Sequence, residues 1–135
     1  ETLSDGGKFA RYHLPPLVWA TIIFIESSIP GHKFPTTPLG TDKLVHVAIF
    51  FILGWLSHRA FTHQSSELVS KMSLYLTQVV TILYGFSDEF HQLFVPGRTA
   101  NMYDMAADAL GGFLFIAVFL AVRLLRKNAS QRTIS

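Results

Sequence analysis

Hydrophobic density along the chain rises four times, over Tyr12 to Ile29, Lys43 to Phe61, Ser70 to Phe90 and Tyr103 to Leu125. Each window has the length of a membrane-crossing helix. The second, 19 residues long, reaches about 28 Å at ~1.5 Å per residue, close to the ~30 Å hydrocarbon core of a bilayer. Glu26, His46, Gln78 and Asp108 interrupt the runs, so none is unbroken. A soluble four-helix bundle would need polar outer faces, yet Leu74-Tyr75-Leu76, Val79-Val80, Ile82-Leu83-Tyr84 and Phe113 to Val122 are apolar almost all round. The pattern therefore predicts an all-α fold, a bundle of four transmembrane helices. Pro30-Gly31, Pro35, Pro38 and Gly40 predict an extended first loop, His63 to Ser66 a polar turn, and Pro96-Gly97 a tight turn. Residues 1–126 read as a single transmembrane domain and 127–135 as a polar, disordered tail.

Composition supports the membrane reading. Only 15% of the 135 residues are charged, against about 25% in a typical soluble domain, and the mean hydropathy is +0.35. So small a particle is mostly surface, and this is too little polar material to coat it. Lys8 and Arg11 ahead of the first window resemble the start of a signal peptide. No small-x-small cleavage site follows, and Glu26 stands where the apolar region should end, so the window reads as a retained helix. The chain begins at Glu1 rather than Met, as a trimmed start would. There is no Cys, which excludes disulfides, thiolate metal sites and thiol nucleophiles. A net charge of +2 argues against a nucleic-acid partner, and no Gly-x-x-x-x-Gly-Lys loop is present to drive ATP-dependent work.

The few charges are sorted by position. With four spans, eight basic residues (Lys8, Arg11, Arg59, Lys71, Arg123, Arg126, Lys127 and Arg132) fall on the side of the termini. Three (Lys33, Lys43 and Arg98) fall on the other, which predicts cytoplasmic termini. Six of the nine acids (Glu26, Asp42, Asp88, Glu89, Asp104 and Asp108) gather at the opposite, outer end, where every helix contributes. Asp42 and His46 are four apart, as are Asp104 and Asp108, so each pair stacks on one helix face. Asp88, His91 and Gln92 share a side of the third helix, whereas Glu89 and His91, two positions apart, point nearly opposite ways. Ala106, Ala107, Ala109, Gly111 and Gly112 allow the fourth helix a close approach to its neighbours, or to a second copy of the chain.

These residues carry a resemblance. Phe24-Ile25-Glu26-Ser27-Ser28-Ile29-Pro30-Gly31, Asp42-Lys43-Leu44-Val45-His46, Tyr84-Gly85-Phe86-Ser87-Asp88-Glu89-Phe90-His91-Gln92, Val95-Pro96-Gly97-Arg98-Thr99 and Asp104-Met105-Ala106-Ala107-Asp108-Ala109-Leu110-Gly111 resemble the VanZ-like family of small bacterial membrane proteins. The family's founding member is linked to teicoplanin resistance. The resemblance implies a multi-pass protein of the bacterial cytoplasmic membrane, within the cell envelope. One position departs from the family pattern, in which Asn is frequent where Asp108 stands.

Each candidate has a structural reading beside a chemical one. Asp42 suits a helix N-cap after Thr41, and Asp104 a capping arrangement three residues after Asn101. His46 either bonds a neighbour within the bundle or acts chemically. Asp108, a turn deeper, needs a partner, and Arg98 is the nearest cation in sequence. Arg98 could fold back onto Asp88 or Glu89 as a clamp, or hold an anionic head group. Ser27 and Ser28 suit bonding to backbone carbonyls, although a triad with His46 can be drawn.

In the chemical reading His46, Asp88 and Glu89 are acid–base or ligand groups, with Glu26, Lys43, Gln92, Arg98, Asp104 and Asp108 binding substrate. His46, Asp88 and His91, with a carboxylate from Glu26, Glu89 or Asp108, would also suit Zn, Mn or Fe, and metal-activated water could cleave an ester. The cofactor is otherwise open. The expected partner is a membrane lipid, a lipid-linked peptidoglycan intermediate or a lipoglycopeptide, bound or modified by a membrane hydrolase or transferase. The alternatives are a non-catalytic scaffold, its polar cluster a structural clamp, and a dimeric transporter in which His46 and Asp108 titrate.

Overall fold

The computed structural model describes residues 4–33 and 40–132, and the regular structure among them is entirely helical. In chain order it comprises α1 (Asp5–Lys8), a π-helical turn (Phe9–His13), α2 (Leu14–Ser27), a 3-10 turn (Gly31–Lys33), α3 (Thr41–Thr62), α4 (Glu67–Lys71), α5 (Ser73–Gln92) and α6 (Met102–Arg132). The loop expected around Pro35 and Pro38 lies outside the described residues. α1, the π turn and α2 run on without a break. The widened turn has a cause in the sequence, since Pro15 and Pro16 lack the N–H groups that the Arg11 and Tyr12 carbonyls would accept from. The Leu14 N–H bonds instead to the Phe9 carbonyl, five residues back.

Three boundaries differ from expectation. Gly40, not Asp42, occupies the N-cap of α3, and Asp42 sits in the first turn. The third window lies almost wholly in α5, which starts at Ser73, and a separate short helix, α4, capped by Ser66, precedes it. The tail expected to be disordered from Lys127 continues α6 as far as Arg132, while 133–135 lie outside the described residues. Beyond Gly112 nothing in α6 breaks a helix, and Ala, Leu, Arg and Lys favour one.

α3 is the central helix and packs against α2, α5 and α6. Ile23, Phe50 and Leu53 form its small apolar core, with Trp19, Ala20, Ile49 and Tyr84 around them. Two long-range bonds fix α2 in place, from Trp19 Nε1 to the Ile49 carbonyl at 3.0 Å and from the Tyr84 hydroxyl to the Ala20 carbonyl at 2.5 Å.

The distribution of polarity is inverted relative to a soluble bundle. Ser73, Thr77, Gln78, Thr81, Gly85, Asp88, Glu89 and Gln92 form the buried face of α5. Tyr75, Ile82, Leu83, Phe86 and Phe90 are on its exposed face. Among the described residues, eleven buried side chains are polar or charged and seven are apolar, so the core is not what shelters this chain's hydrophobic surface. Only an apolar solvent makes that arrangement favourable, because lipid removes the reason to hide Leu and Phe and adds one to hide Asp and Gln. α3 and the stretch Met102–Gln131 of α6 are each long and apolar enough to cross a membrane.

Candidate functional site

The polar ends of α2, α3, α5 and α6 converge. Asp108, 0% exposed, accepts a bond on Oδ1 from His46 Nδ1 at 2.8 Å when the carboxylate is ionised. His46, expected to face Asp42 or a neighbouring helix, therefore reaches across to α6. Asp108, expected to lean on Arg98, has a histidine as its partner. Lys43 lies between two carboxylates, 2.7 Å from Asp42 Oδ2 and in direct contact with Asp104. Asp42 is thus an exposed ion-pair partner rather than a cap.

Glu89 is 1% exposed, and its Oε2 accepts the Asn101 backbone N–H at 2.6 Å. Asn101 in turn caps the start of α6 through Oδ1 to the Tyr103 N–H at 2.9 Å. The capping expected around Asn101 is present, but Glu89 of α5, not Asp104, holds the Asn101 N–H. Asn101 is the site residue that sequence reasoning placed only as a cap. Its contact with a carboxylate twelve residues upstream has no local signature.

Two expectations separate on the third helix. Asp88 and Gln92 share its buried face, and Gln92 Nε2 donates to Asp88 Oδ2 at 3.0 Å. His91 turns to α2, where its Nε2 lies 3.0 Å from Ser28 Oγ and its ring sits against Phe24. Ser28 gives its own proton to the Phe24 carbonyl at 2.6 Å, so His91 is the donor in that pair. His91 therefore leaves the expected metal set of His46, Asp88 and His91. Ser28 meets His91 rather than His46, which removes it from the drawn triad. Ser27 is fully buried with its hydroxyl unpartnered.

Arg98 reaches neither Asp88 nor Glu89. Its Nη2 bonds Glu26 Oε1 at 3.1 Å and the Glu26 carbonyl at 3.3 Å, while Nε bonds the Ile29 carbonyl at 3.2 Å. It ties the turn after α5 to the C-terminal end of α2. The Gly31 N–H bonded to the Pro96 carbonyl at 3.1 Å closes the same junction.

A cavity of about 240 Å³ opens among these groups, lined by apolar Ile23, Val45, Ile49 and Phe50 and by polar Glu26, Thr41, Asp42, His46, Asp88 and Arg98. The charged lining has three carboxylates and one guanidinium, so the cavity is acidic before His46 is counted. Two close approaches bring its walls together. At Gly85 an added Cβ would lie 2.8 Å from Asp108 Cβ, and at Gly111 it would lie 2.5 Å from the Val47 carbonyl oxygen and 2.9 Å from Phe50 Cβ. Ala107, Gly111 and Gly112 are buried within the chain, as expected for close packing of α6 on its neighbours, while Ala106 is exposed.

An all-helical bundle with lipid-suited outer faces and a buried carboxylate–histidine cluster defines a class of membrane protein in which the polar interior is the feature to explain. The model of the family described as VanZ/LLP1 matches residues 3–125, and the chain belongs to that family. No curated protein and no solved structure matches it.

Proposed function

We propose that this protein crosses the bacterial cytoplasmic membrane four times, through α2, α3, α5 and α6. Its termini lie in the cytoplasm, and the acidic cavity binds an envelope amphiphile at the outer leaflet. The excess of Lys and Arg near the termini supports the orientation. The absence of native Cys makes this directly testable. Thr99→Cys is expected to react with a membrane-impermeant maleimide in intact cells, and Ser65→Cys only after lysis. The reverse pattern would overturn the orientation.

One observation carries the functional reading: His46, oriented through Nδ1 by a fully buried carboxylate, lines a cavity whose lining is partly apolar and partly charged. An amphiphile fits that mixed lining. Its tail would lie along Val45, Ile49 and Phe50, and its head among Glu26, Asp42, Asp88 and His46. The acidic lining favours a head group rich in hydroxyls, amides or amines, such as the sugar and peptide of a lipid-linked peptidoglycan intermediate or of a lipoglycopeptide. The carboxylate-held imidazole is suited to general-base work. In a hydrolysis, His46 would take a proton from water as the water oxygen bonds to the ester centre. It would return that proton to the departing alcohol as the ester bond breaks. A link to glycopeptide resistance follows the family.

Val45 is half exposed and its side chain borders the cavity. Native mass spectrometry of protein extracted in mild detergent is expected to show a co-purifying amphiphile on the wild type. Val45→Trp, which fills the cavity, should carry at least about tenfold less. Equal retention in both, or none in the wild type, would overturn the reading.

A further inference from the structure

The buried cluster contains more anionic oxygen than its neighbours satisfy. Glu89 Oε1 and Asp108 Oδ2 are both buried with no hydrogen-bond partner, although each residue's other oxygen is well held. Lys43 is engaged with Asp42 and Asp104. Arg98 is engaged with Glu26. His46 is the basic group that does reach the pair, and it bonds one oxygen of Asp108 alone. An unpartnered buried carboxylate oxygen is among the most costly groups a fold can hold, and more so in a membrane.

One nitrogen of His46, one oxygen of Glu89 and one oxygen of Asp108 lie within 4.8 Å of one another, from three different helices. We infer that His46, Glu89 and Asp108 form a divalent transition-metal site, of the chemical class that takes Zn²⁺, Mn²⁺ or Fe²⁺. A nitrogen with two carboxylates is the donor set of that class, whereas Mg²⁺ and Ca²⁺ take oxygen alone. Closing on Zn²⁺ at ~2.0–2.2 Å would set the three atoms about 3.4 Å apart. The Asn101 N–H on Glu89 Oε2 then acts as an outer support that aims the other oxygen inward. Asp88, bonded to Gln92, lies outside the set.

The site borders the cavity assigned above to an amphiphile and would place a Lewis acid beside its head group. In that sense it deepens the same reading, with the metal in place of His46 as the group that would activate water, but metal binding can be measured with no substrate present. The protein, purified in detergent with a non-histidine tag, would be loaded with Zn²⁺, dialysed and assayed by mass spectrometry for metal content. The wild type is expected to retain close to one Zn²⁺ per chain and to show a higher melting temperature with Zn²⁺ than with EDTA. Glu89→Gln keeps an acceptor for Asn101 and so tests the metal rather than the fold. It should bind at least about tenfold more weakly, since loss of an outer-shell partner alone commonly costs that much and Glu89 would be a direct ligand, and lose the Zn²⁺-dependent shift; His46→Ala should do the same.

Equal retention by wild type and Glu89→Gln, or no Zn²⁺ on the wild type, would overturn the site. Zn²⁺ retained while Val45→Trp still carries its amphiphile would instead remove the amphiphile reading and keep the metal.

Discussion

Gly111→Leu is expected to prevent stable assembly of the bundle. A Cβ there already falls 2.5 Å from the Val47 carbonyl oxygen and 2.9 Å from Phe50 Cβ. The first of these is backbone and cannot rotate aside. Three further carbons have nowhere to go unless α6 moves off α3, and Phe50 belongs to the small apolar core. Overpacking of a closed contact costs about 1–3 kcal/mol and more when a backbone must move, and this variant lies at the upper end. The measurement is thermal unfolding in detergent, with gel filtration to score the monodisperse fraction. Gly54→Ala is the control: its Cβ would meet the Phe115 ring at 3.4 Å, an ordinary contact. It should unfold within about 1 kcal/mol of wild type. If Gly111→Leu matched Gly54→Ala, the α3–α6 contact described above would be wrong.

The helices themselves were legible because lipid-length apolar windows need no tertiary information. The ends were not. Cap residues such as Asp42 compete with tertiary partners for the same oxygen, and Lys43 wins Asp42 while Gly40 begins the helix. The tail read as disordered from its polarity, although Lys127 to Arg132 only continue a helix already nucleated over the apolar stretch before them.

The site divides along the same line. Residues stacked at four-residue spacing on one helix, Asp42 with His46 and Asp104 with Asp108, could be grouped from sequence because α-helical geometry fixes them. Pairings between helices could not. His46 with Asp108 and Glu89 with Asn101 depend on how the helices rotate against each other, which Gly85, Gly111 and Gly112 decide through close contact. Arg98 shows the cost of using distance along the chain as a proxy. It is nearest in sequence to Gln92 and Asn101, yet it bonds Glu26 from the far end of α2.

His46→Leu is expected to be strongly destabilising, and its companion Asp108→Leu to show why. Removing the imidazole leaves Asp108, fully buried, without a partner on either oxygen. Breaking a buried charged pair from one side costs about 3–5 kcal/mol. Asp108→Leu alone leaves only a neutral, half-buried histidine and should cost less. The double variant His46→Leu, Asp108→Leu replaces both groups with apolar volume in an apolar setting. It should recover most of the stability lost in His46→Leu, because the loss arises from the stranded carboxylate rather than from missing attraction.

Function should not recover with it. If the cluster is a structural clamp, stability and glycopeptide tolerance, each measured against expression level, will rise together in the double variant. If His46 acts on a bound amphiphile, the double variant will fold and remain inactive. The two roles predict the same outcome for every single substitution at these positions, and only the pair distinguishes them. That makes the refolded, inactive double variant the decisive observation for a working site, and a refolded, active one the result that would reduce the cluster to a clamp.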